Sequence, residues 1–313
     1  MKTKLSLILV VLMLHCSTSV FAQEAEKKPD PKFYIYLCFG QSNMAGGEEP
    51  GPQDMTNTDE CLRKMTEADK PRQNIKMGQW YLTKPPVDRN VNQLRIADFF
   101  GWTMLQNLPE GYHVGVINVS VPGCKIELYE KDTYGDYLAT AESWMKDICK
   151  QYGNNPYQRL VDLAKIAQKD GVIKGFLLHQ GESNPNDDQW CNKVKGIYNN
   201  LIKDLDLKPK DIPLIAGELK RTEDGGACGA FNTAVLENLP NVLPNSYIIS
   251  SKGCEGARDG FHFTAKGYRQ LGINYAKKML EILGYEYKDP EEAKPDSDAA
   301  SLTAAAITAE AKE

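Results

Sequence analysis

The chain has 313 residues, eight cysteines, four histidines and a net charge of -5, length enough for one large domain with a substantial core. The acidic balance, with no basic cluster interleaved with aromatics, excludes a nucleic-acid surface and suits small neutral or weakly charged substrates. Past the first residues no apolar run approaches about 18 to 20 residues, so no membrane-spanning helix is expected.

Met1-Lys2-Thr3-Lys4, an apolar segment from Leu5 to Leu14 and Val20-Phe21-Ala22 supply the basic, apolar and small-residue parts of a secretory signal peptide. Residues 1–22 are read as that signal, with cleavage after Ala22 and export to the periplasm or the medium. A lipoprotein would use Cys16, but Met13-Leu14-His15 is a poor lead-in to a lipidated cysteine. Export permits disulfides. Without Cys16 the cysteines are Cys38, Cys61, Cys124, Cys149, Cys191, Cys228 and Cys254, an odd number that leaves at least one thiol unpaired within the chain. No Cys-x-x-Cys pair occurs and the histidines are scattered singly, so no structural zinc site is expected.

Residues 23–32 read as a polar leader. Phe33-Tyr34-Ile35-Tyr36-Leu37-Cys38-Phe39 then forms an almost unbroken apolar run that stops at Gly40, and Ser42 follows in a short polar turn closed by Gly46-Gly47. Such a run suits a strand covered on both faces, and the carboxyl ends of strands in open α/β sheets are where ligands sit. Ser42 is therefore a candidate nucleophile, although a serine in a glycine-rich turn can equally serve only the turn itself.

Residues 48–74 read as a polar excursion, Ile75 to Leu82 as a strand ended by Pro85-Pro86, and 97–107 as a helix closed by Pro109-Glu110-Gly111. Val114 to Val119 is a β-branched strand ending in Ser120-Val121-Pro122-Gly123. A helix from about Tyr157 to Ala167 precedes a third buried strand, Val172 to Leu178, which runs into His179-Gln180-Gly181-Glu182-Ser183-Asn184. A helix over 187–205, a strand Ile212 to Ala216, a helix over 229–238 and a strand Tyr247 to Ser250 follow. After Asp259-Gly260-Phe261-His262-Phe263, Thr264 caps a last helix to about Leu283, with Leu271, Tyr275, Met279 and Ile282 on one stripe. The alternation implies an α/β domain over 33–287, a mainly parallel sheet with helices on both faces. Residues 288–313 read as a disordered tail.

The polar turns all fall at strand ends and together hold the parts of an acyl-transfer site: a serine, a base, an acceptor for the base's second nitrogen, and donors for an oxyanion. His262, three residues after Asp259, is the best-placed base. His113 reads as a strand-edge residue and His179 as a core histidine. The α/β-hydrolase nucleophile elbow does not fit, because it requires glycine two residues after the serine and Met44 stands there.

Gly40-Gln41-Ser42-Asn43-Met44, Pro122-Gly123, His179-Gln180-Gly181-Glu182-Ser183 and Asp259-Gly260-Phe261-His262 occur in the order seen in SGNH hydrolases. The chain resembles the branch that holds sialate O-acetylesterase and carbohydrate esterase family six, the acetyl xylan esterases, over about residues 33–283. The resemblance implies a three-layer α/β/α sandwich of flavodoxin-like kind, with Ser42 as nucleophile, His262 as base and Asp259 as its orienting partner. It further implies an oxyanion hole made of the N–H groups of Ser42 and Gly123 and the side-chain amide of Gln180. Gln41 and Asn43 are candidate substrate or orienting residues, and Glu182 would orient His262, contact substrate or brace its loop. No metal or organic cofactor is implied.

On this reading the partner is an acetylated oligo- or polysaccharide, acetyl xylan or a related plant glycan, with O-acetylated sialic acid as the alternative. An exported glycan-binding protein without turnover is the reading from another class, and a lipase is disfavoured by the polar segments after the serine. Among the aromatics, Trp80, Tyr129, Tyr134, Tyr137 and Trp144 are candidates for stacking on sugar rings, with core packing the role expected of most of them.

Overall fold

Every residue of strand β1 (Phe33–Gly40) is buried. Phe33, Ile35, Leu37 and Phe39 enter one core and Tyr34, Tyr36 and Cys38 the other, the period of two of a pleated strand. Because both faces are covered, each position must be apolar, and the sequence shows a run instead of an alternation. The computed structural model describes residues 28–54, 60–82 and 93–289. The expected signal segment, Pro85-Pro86 and the tail beyond Asp289 lie outside the described residues.

Six further strands join β1 among the described residues: β2 (Leu62–Met65), β3 (Trp80–Leu82), β4 (His113–Ser120), β5 (Val172–His179), β6 (Leu214–Gly217) and β7 (Ser246–Ile249). They form one sheet in the order β3-β2-β4-β1-β5-β6-β7, parallel throughout except for β3 at the edge. The chain builds on one side of β1 through β4 and then crosses to the other side with β5. This reversal leaves a crevice at the carboxyl ends of β1, β4 and β5, where open α/β sheets bind ligands.

The helices are α1 (Ser42–Ala45), α2 (Ile96–Asn107), α3 (Tyr134–Thr140), α4 (Ser143–Gln151), α5 (Pro156–Ala167), α6 (Trp190–Asp204), α7 (Phe231–Ala234), α8 (Leu239–Val242) and α9 (Ala265–Leu283). Phe100 and Met104 of α2 pack with Leu271, Tyr275 and Met279 of α9 on one face of the sheet. Leu160 and Leu163 of α5, Val194 and Leu201 of α6, and Met145 of α4 cover the other. The expected three-layer sandwich is the observed one. Thr264 caps α9 by accepting from the Gly267 N–H at 3.3 Å.

The excursion over 48–74 contains β2, unexpected because Arg63 and Lys64 interrupt its apolar pattern; Lys64 is buried and ion-paired with Asp98 of α2. The strand expected from Ile75 is confined to Trp80–Leu82. The single helix expected over 229–238 is split, because Val235 leaves helical geometry (φ -127°, ψ -57°). No disulfide forms among the described residues, and no helix among them is long and apolar enough to cross a membrane.

Candidate active site

The turn that carries Ser42 is built from close approaches. Gly40 has φ +145°, and a Cβ there would fall 2.1 Å from the His179 carbonyl oxygen, so only glycine lets β1 end against β5. The Gln41 N–H donates to that carbonyl at 3.0 Å. Tyr129 donates its hydroxyl to the Gly40 carbonyl at 2.8 Å. One helical turn, α1, begins at Ser42, and its far end is held by Asn118, donating to the Met44 carbonyl, and by Arg95, donating to the Ala45 carbonyl, both at 2.9 Å. Arg95 and Asn118, absent from the sequence inventory, thus fix the serine from α2's start and from β4.

Residues 220 positions apart meet at this turn. His262 Nε2 lies 2.9 Å from Ser42 Oγ, and His262 Nδ1 lies 2.5 Å from Asp259 Oδ2. The other Asp259 oxygen accepts from the backbone N–H groups of Phe261 (2.8 Å) and His262 (2.9 Å), so one tight turn, with Gly260 at φ +82°, sets carboxylate and imidazole together. Partial burial pushes the Asp259 carboxyl up, but the His262 backbone, the His262 ring and the Phe261 backbone outweigh it and hold it at about 2. With the acceptor on Nδ1, the ring presents Nε2 to the serine, the arrangement by which a hydroxyl loses its proton on attacking a carbonyl.

Neither the Ser42 nor the Gly123 N–H has an acceptor among the described residues. Gly123, at φ +67°, follows β4 on the neighbouring strand end. Both are free to donate to an oxyanion.

Gln180, expected as the third oxyanion donor, is buried with protein partners for its amide. It is 1% exposed, and its Nε2 faces three protein acceptors: Asn184 Oδ1 (2.7 Å), Gln41 Oε1 (3.1 Å) and the Cys124 carbonyl (3.2 Å). Trp190 donates to its Oε1 at 2.5 Å, which fixes the amide's orientation because an indole N–H can only donate. Through these contacts Gln180 ties the loops after β4 and β5 to the serine turn. Asn184, inside the quoted motif but not singled out, completes this tie: it accepts from the Ile126 N–H and donates to Glu127 and Asp187.

Gln41 and Asn43 are likewise buried, at 3% and 0% exposure, with protein partners in place of substrate. Gln41 Oε1 also accepts from the Gly181 and Ser183 N–H groups. Asn43 donates to Glu182 Oε1 at 2.6 Å and to the Phe261 carbonyl at 3.0 Å. Burial pushes the Glu182 carboxyl up to about 6, against the pull of backbone N–H groups, the Asn43 amide and the His262 charge.

His179, fully buried, is pushed down to about 3 by burial alone. Its Nδ1 lies 3.3 Å from the Tyr275 hydroxyl, which gives its own hydrogen to the Leu178 carbonyl, so Nδ1 carries the proton. It is a neutral core residue. His113 opens β4 at the opposite end of the sheet, 4.0 Å from Cys61 Sγ.

Of the stacking candidates, Tyr129 is fully buried and Trp80 packs on Phe33 at the amino ends of the strands. Tyr134 and Tyr137 are half-buried, the latter accepting from the Lys125 N–H. Trp144, 47% exposed, lies so close to Gly123 that a Cβ there would be 2.9 Å from its ring. Phe261, 41% exposed, stands between Asp259 and His262 and was not among the candidates. Among the described residues no group of three or more His, Cys, Asp or Glu side chains is placed to hold a metal ion.

A family profile described as carbohydrate esterase, sialic acid-specific acetylesterase, matches residues 32–281. Among solved structures, a protein from Arabidopsis thaliana superposes with a TM-score of 0.60 at 19% identity, covering 80% of this chain and 99% of that one. NanS does so at 0.57 and 16%, covering 82% and 98%. A structure described as a novel carbohydrate acetylesterase from Xanthomonas citri gives 0.55 and 18%, covering 79% of this chain and 56% of that one, so this chain spans little more than half of that protein's length. At these identities the likeness is one of fold.

Proposed function

The chain belongs to the SASA family of carbohydrate esterases, which are carboxylic ester hydrolases, and from that premise we propose that Ser42, His262 and Asp259 catalyse removal of acetyl groups from a neutral O-acetylated glycan such as acetyl xylan. The observation that carries the proposal is the hydrogen-bonded line from Ser42 through His262 to Asp259, with contacts of 2.9 and 2.5 Å.

In this reading His262 Nε2 takes the Ser42 proton as Oγ attacks the acetyl carbonyl carbon, and the charge that develops on the carbonyl oxygen is held by the Ser42 and Gly123 N–H groups. His262 then passes the proton to the sugar oxygen, the C–O bond breaks and the deacetylated sugar leaves. Water, deprotonated by His262, attacks acetyl-Ser42, and the returning proton restores the serine as acetate departs. Asp259, held at about 2, stays ionised throughout and stabilises the imidazolium. Loss of one donor is expected to cost about 3 kcal/mol in the barrier.

A neutral sugar is favoured by the exposed rings at the rim of the site. Trp144 beside Gly123 and Phe261 beside His262 offer exposed ring faces of the kind that receive the C–H faces of a pyranose. The family's own description favours the second reading, an O-acetylated sialic acid. The order of basic, apolar and small residues in 1–22 supports export to where such glycans are met.

Acetate release measured on acetylated xylan beside O-acetylated sialic acid tests the proposal. Faster, Ser42-dependent release from xylan is expected; release from the sialic acid alone would transfer the reading to sialate, and binding of either glycan without release would make the protein a binder.

A further inference from the structure

We infer that Asn43 and Glu182 form a strut that sets the position of His262 through the backbone of the loop carrying it, which makes Glu182 a positioning residue and not a contact for the sugar. The inference rests on reading Ser42, His262 and Asp259 as the catalytic line.

Asn43 follows Ser42 directly in the clamped turn α1. Its side chain uses all it has: Nδ2 donates to Glu182 Oε1 at 2.6 Å and to the Phe261 carbonyl at 3.0 Å, and Oδ1 accepts the Tyr268 hydroxyl of α9 at 3.0 Å. Phe261 immediately precedes His262, so its carbonyl is the handle by which the serine turn holds the histidine loop. Serine and base are thereby referenced to one amide plane. Small displacements of a base from its nucleophile are costly in rate, and this bond fixes the separation from behind.

Glu182 supplies the other end of the strut. Its side chain is 5% exposed, too deep to meet a sugar. Oε2 has no hydrogen-bond partner among the described residues. His179 Nε2 lies 3.9 Å from Oε1 and is also unpartnered; it carries no charge to offset the carboxylate. The remaining titratable neighbours are the His262 ring, Tyr268 across Asn43, the buried Cys124 and Tyr275, and Cys228, whose thiol donates to the Glu182 backbone carbonyl at 3.6 Å. A buried carboxyl with one short side-chain bond is an expensive group to keep, and that bond, charge-assisted and directed at the residue after the nucleophile, is what it does.

A double-mutant cycle tests this. Asn43→Ala and Glu182→Ala are each expected to lower kcat on a small chromogenic acetate about ten- to a hundredfold with KM changed less than about twofold, and the double variant to be no worse than the poorer single one. Glu182→Gln, whose amide oxygen still accepts from Asn43, is expected to recover most of kcat. This rescue, with thermal unfolding recorded for each variant, separates positioning from simple misfolding. Losses that multiply in the double variant, a rise in KM with kcat intact, or a Glu182→Gln enzyme as poor as Glu182→Ala would overturn the strut while Ser42-dependent turnover in the parent stands. A parent protein whose turnover survives Ser42→Ala would instead overturn the catalytic line, and the strut with it.

Discussion

The two ends of the same central strands carry similar residue types and have different fates. At the amino ends are His113, the Cys61 thiol, Trp80 bonded to Asp170 Oδ2 at 3.0 Å, and the rings of Tyr34, Tyr112 and Tyr285. At the carboxyl ends are Ser42, His262, Asp259 and the buried amides. Both ends hold histidine, carboxylate and hydroxyl groups. Only the carboxyl end brings in a loop from beyond β7 that puts a carboxylate on one ring nitrogen and a hydroxyl on the other. What distinguishes the three histidines is what occupies each nitrogen: a carboxylate and a serine at His262, a tyrosine and nothing at His179, a distant thiol at His113.

Substitutions at the two ends break or sharpen this contrast. Ser42→Ala and His262→Ala should each lower kcat by about 10⁴-fold or more, whereas His113→Ala should leave acetate release within about twofold; a large loss from His113→Ala would erase the distinction. Asp259→Asn should cost about 10² to 10⁴ in kcat, because Nδ1 loses the acceptor that sets the tautomer. The carboxylate's depressed value near 2 means that its contribution to stability is complete above about pH 4 and is lost as pH falls toward 2. An acid limb in the rate profile above pH 4 therefore does not report Asp259, and Asp259→Asn should leave such a limb in place.

A smaller effect is expected from Trp144→Ala, at the rim. It should lower kcat/KM on acetylated xylan by about tenfold while hydrolysis of a small chromogenic acetate stays within about twofold; equal losses on both substrates would make Trp144 a support for Gly123 and not a sugar platform. Smallest is a change in stability. Glu182 is raised from 4.5 to about 6 on folding, so the folded state binds the proton more tightly and stability falls as pH rises from about 4 to 6. The neutral Glu182→Gln should therefore be more stable than the parent at pH 7 by about 2 kcal/mol, with the gap closing below pH 5. Thermal unfolding of both across that range reads the sign directly, and a gap that widened at low pH would contradict it.

The elements that could be read from sequence are those whose signal is local and redundant. β1 announced itself through seven apolar residues ended by glycine, and α9 through Thr264 and its stripe. β2 could not, since Lys64 is buried only because Asp98 arrives from α2 to pair with it. In the site, the meeting of Ser42, His262 and Asp259 was legible because few residue types suit acyl transfer. The partners of Gln180 were not legible, because motif order says which residues meet but not which atoms bond: its Nε2 faces Asn184, Gln41 and Cys124. Arg95 and Asn118, bonded to carbonyls of α1, carry no sequence signal, because any donor of the right length in the right place would serve.

The central claim is that acetyl passes through Ser42. Acid quench of the enzyme during turnover of an acetylated xylo-oligosaccharide, followed by digestion and mass spectrometry, tests it most directly. The account predicts an acetyl group on the peptide containing Ser42, absent from Ser42→Ala, which should release no acetate above background. Acetate released at parental rates by Ser42→Ala, or an acetyl group trapped on another residue of the parent enzyme, would contradict it.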